Sequence, residues 1–185
     1  MTSTPESTHS NGLVAVAGRL LETLRREEET LAHLHATFDA QIEALRRHRH
    51  EALESSTGEV NEAVHAMEGL RKARERQARL LGRLLRLDGD DVSLERLATA
   101  LEGHAEAAEA APMLREARAK IHERARQTRK RCEEFEFALQ YAVKLGREML
   151  QVMQDLDVPP PARIYTASGD ATQTAKPRSF VNKVG

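Results

Sequence analysis

Eight histidines and a single cysteine are the side chains in this sequence that most invite chemistry. His33 and His35 stand two residues apart, as do His48 and His50. On a helix that spacing turns the two rings about 200° from each other, so neither pair holds one ion without ligands from elsewhere. Glu62 and His65 form the Glu-x-x-His step of di-iron bundles, but such a centre needs the step twice and two further glutamates. No second copy occurs, and the histidines are read as solvated helix residues. Cys132 alone forms neither an internal disulfide nor an all-cysteine metal site, and it falls on an apolar stripe where a buried structural thiol is expected. No glycine-rich phosphate loop follows a strand, and no Ser or Cys nucleophile motif is present. The basic run Arg124, Arg126, Arg129, Lys130 and Arg131 spreads around its helix and meets Glu133 and Glu134 at once, which reads as a solvated face. The expectation is a binding protein, not an enzyme, with no catalytic residue, metal or cofactor.

Composition narrows the class further. Hydrophobic residues make up 40 % of the 185, but much of that is alanine, aromatics are 3 % and tryptophan is absent. A compact core normally uses more large rings. A thin core of leucine, valine and alanine between long helices suits this content, as do 31 % charged residues of both signs. A formal net charge of -1 argues against general nucleic-acid binding and against electrostatic membrane docking. No apolar run approaches the ~18 residues of a membrane span. The N-terminal MTSTPESTHS lacks a basic region followed by an apolar one, so a cytoplasmic protein is expected.

The elements that would position these residues are helices. Residues 1–11, rich in Ser and Thr, are read as a disordered leader. From Gly12 the apolar residues Leu13, Val16, Leu20, Leu24, Leu31, Leu34, Phe38, Ile42 and Leu45 step by threes and fours, with one skip at Glu27, which predicts a first helix to about Glu54. The segment Ser55–Gly58 is expected to break it, with Ser56 and Glu59 at capping-box spacing opening a second helix. That helix carries Val60, Val64, Met67, Leu70, Ala78, Leu81, Leu84 and Leu85 and is expected to stop at Gly89. Ser93 is placed to cap a short third helix with Leu94, Leu97 and Leu101, closed by Gly103, while His104 to Ala111 is ambiguous. Pro112 then suits the first turn of a long last helix whose stripe runs from Leu114 to Leu156, about twelve turns. Pro159, Pro160 and Pro161 end it. Long stripes are not stable alone in water. The fold class expected is therefore all-α: an elongated antiparallel bundle or coiled coil of three long helices plus a short one, with a bundle domain at 12–158 and a flexible tail at 159–185.

Two features suggest binding. Leu145, Met149, Leu150, Val152, Met153 and Leu156 widen the last stripe past one face, which serves either a partner surface, where methionines suit variable partners, or a core end covered by the first helix. In the tail, a Tyr165-x-x-x-Gly169 turn precedes a polar spacer and a short apolar cluster, a layout that serves equally an unselected terminus or a docking peptide.

A first helix GRLLETLRREEETLAHLHATFDAQIEAL, a second helix after a short break, a last helix with QTRKRCEEFEFALQYAVKLGREML and the Tyr-x-x-x-Gly of IYTASGD follow in order. Over about residues 13–185 this layout resembles the FlgN family of flagellar type III export chaperones. The asparagine pair frequent in the family's last helix has no counterpart around Thr128 to Cys132, and the SFVNKVG extension is longer than the family's usual tail. The resemblance implies a cytoplasmic chaperone of hook-filament junction subunits that prevents their early association and delivers them to the export gate. It places client binding on Phe135, Leu139, Leu145, Met149, Leu150, Val152, Met153 and Leu156, and gate contact at Tyr165 and Gly169. The competing class is a self-associating structural coiled coil without a client, which the mixed charges fit equally. Oligomeric state is not fixed by the sequence.

Overall fold

The computed structural model describes residues 5–87, 92–157, 163–165 and 171–173. Four helices follow in chain order: α1 Pro5–Arg46, α2 His50–Leu84, α3 Leu94–Leu101 and α4 Ala110–Asp157. The all-α bundle expected from the stripes is what forms. The chain divides into two compact units, residues 1–139 and 140–185, with the boundary inside α4.

Helix α1 starts at Pro5, within the segment read as a disordered leader, which corrects that reading for residues 5–11. A proline at the first helical position has its φ preset, and its missing N–H is one that the first turn never uses. The helix ends at Arg46, eight residues before the expected end at Glu54. There His48 adopts a left-handed φ of 54°. Its N–H donates to the Leu45 carbonyl at 3.2 Å, and the Arg49 N–H donates to the Ala44 carbonyl at 2.9 Å. This paired closure satisfies carbonyls the helix end would leave open.

The expected break at Ser55–Gly58 is not a break, because all four residues lie inside α2. Ser56 is buried and its hydroxyl donates to the Leu53 carbonyl at 2.9 Å, as Thr57 does at 2.8 Å. Hydroxyls bonded back to the preceding turn have no capping role, and the helix continues through them. The far end of α2 repeats the α1 closure. Arg86 has φ 54°, and the Leu87 N–H donates to the Gly82 carbonyl at 2.9 Å. The stop expected at Gly89 lies outside the described residues. Gly82 has a packing reason as well: a Cβ there would stand 2.9 Å from Val92 Cγ2, so the missing side chain lets Val92 lie on α2.

The third helix forms as expected, with the Ser93 hydroxyl accepting the Arg96 N–H at 3.3 Å. Residues 104–109, the ambiguous stretch, make turns, and α4 opens at Ala110 with Pro112 in its first turn. Helices α1 and α2 run antiparallel: Arg74 reaches Glu27 near one end, and Gln41 donates to Thr57 near the other. Helix α4 runs alongside α1 in the same direction, with the Thr128 hydroxyl donating to the Leu31 carbonyl at 3.1 Å and Phe135 packing on Phe38.

The main core joins the first half of α1 (Leu13, Leu20, Leu24) to Leu81 of α2, Leu97 and Leu101 of α3, and Leu114 of α4. Fully burying a leucine side chain is worth about 1.5–3 kcal/mol, so these seven hold the helices together despite the near absence of rings. A smaller cluster forms farther along around Leu34, Phe38 and Ala63, with Val60, Cys132 and Phe135 against it.

One departure from the all-helical reading lies in the tail. Strand β1 Arg163–Tyr165 pairs antiparallel with β2 Ala171–Gln173, Arg163 opposite Gln173 and Tyr165 opposite Ala171. The sequence reading expected no strand there. Ile164, Tyr165 and Thr172 have the branched and aromatic side chains that strands favour, while Thr-Ala-Ser-Gly-Asp between them is rich in turn formers.

Candidate functional site

Along α4 the apolar stripe changes character. Leu114 and Thr128 are buried, and Ala117, Ile121, Ala125, Cys132 and Phe135 are half-buried. From Leu139 to Leu156 every residue is exposed, the large apolar side chains ranging from 36 % at Leu139 to 80 % at Leu156. Phe38 and Phe135 pack with ring centroids 6.1 Å apart.

The residues singled out on this helix separate accordingly. Leu145, Met149, Leu150, Val152, Met153 and Leu156 are all exposed. Leu139 stands at the edge of the covered part. Phe135 differs, being half-buried against Phe38. Phe137 and Tyr141, not singled out by the stripe, are exposed at 73 % and 62 % and sit one turn apart. Their signal in the sequence was two aromatic rings four residues apart in a chain that has almost none. Tyr165 lies in β1, opposite Ala171. Gly169 lies outside the described residues.

Four basic residues before this surface hold ion pairs. Arg126 pairs with Glu123, Arg129 with Glu133, Lys130 with Glu134, and Arg131 with both Glu134 and Asp39. The Arg131 guanidinium holds the Glu134 carboxyl below its ordinary range. Exposed pairs of this kind contribute little to stability, and they agree with the reading of the basic run as a solvated face. Cys132 is half-buried rather than fully buried. Burial pushes its thiol up, with Glu136, whose carboxylate it meets at 3.7 Å, adding to the effect.

The histidines scatter. His33, His65, His104 and His122 are exposed, and His35 stands 3.7 Å from Asp39. His48 lies in the bend between α1 and α2 and His50 opens α2, so the two do not share one helix. Among the described residues no three His, Cys, Asp or Glu side chains converge as metal ligands would.

A groove of about 730 Å³ between α2 and α4 has a floor of Ala78, Val92, Leu94 and Ile121 and a rim carrying Arg74, Arg79 and Arg118. No sequence pattern marks it, because its walls come from segments far apart in the chain. Its guanidinium groups are engaged by Glu27, Glu75 and Glu95 respectively. Among the described residues no helix is long and apolar enough to cross a membrane.

A family model described as FlgN protein matches residues 16–173. No curated protein and no solved structure matches the chain.

Proposed function

From the premise that this chain belongs to the FlgN family of flagellar export chaperones, we propose that it binds hook-filament junction subunits in the cytoplasm, keeps them from associating early and delivers them to the export gate. The observation that carries this reading is the uncovered apolar run of α4. Large apolar side chains at Leu145, Met149, Leu150, Val152, Met153 and Leu156 are all solvent-exposed. A cluster of exposed large apolar side chains normally marks an interaction site. Leu139 and Phe135 form its inner edge, where the helix passes into the core. The reading assigns no catalytic step and no cofactor to the chain. The strand segment at Tyr165, with Gly169 after it, serves as the gate contact, on a tail separated from the helix by three prolines.

The test is a pull-down of a purified junction subunit with the variant Met149→Glu, Leu150→Glu, Met153→Glu, beside its circular dichroism spectrum. Lost binding with full helicity supports the reading. Retained binding by a folded variant refutes this surface, and loss of helicity shows that these side chains are core.

A further inference from the structure

The exposed end of α4 has more apolar surface than one partner helix can bury. At about 100° per residue, Tyr141 to Leu156 place their apolar side chains on an arc of about 200°. A helix lying on one neighbour typically offers an apolar stripe of about 100°. The arc has two halves meeting at Met149. One half carries Tyr141, Leu145, Val152 and Leu156, and the other carries Val143, Gly146, Leu150 and Met153, all exposed. Gly146 lies in the middle of the second half with open space around it. A glycine inside a helix costs about 1 kcal/mol relative to alanine, and its bare backbone lets another helix approach closely.

The two edges of the arc differ in charge. Glu148 and Asp155 border the first half, while Arg147 and Gln154 border the second. Among the described residues Glu148 pairs with Lys144 alone, at a long 3.9 Å.

We infer that this segment is the third member of a three-helix interface: the client supplies two amphipathic helices, one on each half, and the one beside Tyr141 and Leu145 carries basic residues toward Glu148 and Asp155. This rests on the client-binding reading above and deepens it. One half would bury the first client helix in the ordinary way. The second half would seat the other against Gly146, so that Met149 becomes the centre of a small shared core. A second copy of this chain is a poorer occupant of the first half: packed antiparallel it sets two acidic edges against each other, and packed parallel it sets the acidic edge against the apolar Met149 side.

Calorimetric titration of the full chain with a purified hook-filament junction subunit tests this, using two variants that keep their helicity. Leu145→Glu with Val152→Glu disables the first half, and Val143→Glu with Leu150→Glu disables the second. Each should weaken binding at least tenfold, with one client per chain. Added salt should weaken wild-type binding, and Glu148→Gln with Asp155→Asn should remove part of that salt dependence. If only the first pair weakens binding, a single helix occupies the surface and the two-helix inference fails while the client reading stands. If neither does, the client reading of this surface fails too. A wild-type chain that sediments as a dimer, and as a monomer once the second half is disabled, would make the occupant another copy of itself.

Discussion

The Glu27 carboxylate is buried in the α1 stripe at 2 % exposure, where its Oε2 accepts a hydrogen bond from Arg74 Nη1 of α2 at 2.5 Å. Its Oε1 has no partner among the described residues. A buried carboxylate is tolerated because of that one guanidinium, and removing either partner alone leaves the other uncompensated. Arg74→Met should therefore lower the unfolding free energy by about 3 kcal/mol, the lower part of the range for a broken buried pair because Arg74 itself is partly solvated. Glu27→Leu combined with Arg74→Met should recover most of the loss. Urea unfolding of the three proteins checks this, and a double variant no better than Arg74→Met would contradict it.

The same pair sets a pH dependence. Burial pushes the Glu27 carboxyl above its ordinary 4.5, with Arg74 pulling the other way. The folded state therefore binds this proton more tightly than the unfolded chain does. The stability it contributes is fully present below about 4.5 and is lost as pH rises through the higher folded value. Relative to the Glu27→Gln variant, wild type should be most favoured at low pH and lose ground toward neutrality. Exposed carboxyls such as Glu22, held at about 2 by Arg25 and Arg26, are common to both proteins and cancel. A difference that is flat or grows with pH would show that Arg74 outweighs burial.

Helices α1 and α2 both end on a non-glycine residue in the left-handed region, His48 and Arg86. That conformation costs an L residue roughly 1–2 kcal/mol and a glycine nothing. His48→Gly and Arg86→Gly should each stabilise the protein, by about 1 kcal/mol after the extra freedom glycine gives the unfolded chain. Thermal melts of the single variants decide this, with an unchanged or lower melting temperature counting against the left-handed closure.

Burial predicts a gradient of cost along the stripes. Leu20→Ala and Leu114→Ala remove fully buried side chains and should cost about 2–5 kcal/mol each. The sequence stripe alone would assign Leu139 the same loss. At 36 % exposed it should cost under about 1 kcal/mol when changed to alanine. Equal losses at Leu114 and Leu139 would mean that α4 is covered throughout.

Removal of residues 159–185 should leave the melting temperature nearly unchanged while impairing export. Tyr165→Ala in the full chain should spare subunit binding and weaken delivery to the gate. A large drop in melting temperature on truncation would show that the tail folds onto the helices. Loss of subunit binding in Tyr165→Ala would move Tyr165 from the gate to the client surface.

The helices could be read from the three-and-four spacing because burial on one face imposes it. Their ends could not all be read this way. At Ser93 the cap residue and its hydrogen bond agree with the sequence signal. At Ser56 the same residue type bonds backward to Leu53, and only the packed position of α2 decides between the two roles. The bend at His48 has no glycine or proline to announce it. Glu27 read as an interruption of the stripe, because its partner Arg74 lies forty-seven positions away. The exposed end of α4 was visible as a stripe too wide for one neighbour.

The central claim is that residues 139–156 of α4 receive the client. Amide hydrogen exchange of the full chain, followed by mass spectrometry with and without a purified hook-filament junction subunit, addresses it directly. The exposed end of α4 should exchange faster than the covered stretch from Leu114 to Phe135 when free. Protection on binding should rise there by at least tenfold in exchange rate, with little change around Leu20, Leu97 and Leu114. Protection confined to α1–α3, with residues 139–156 unchanged in a stable complex, would contradict the claim.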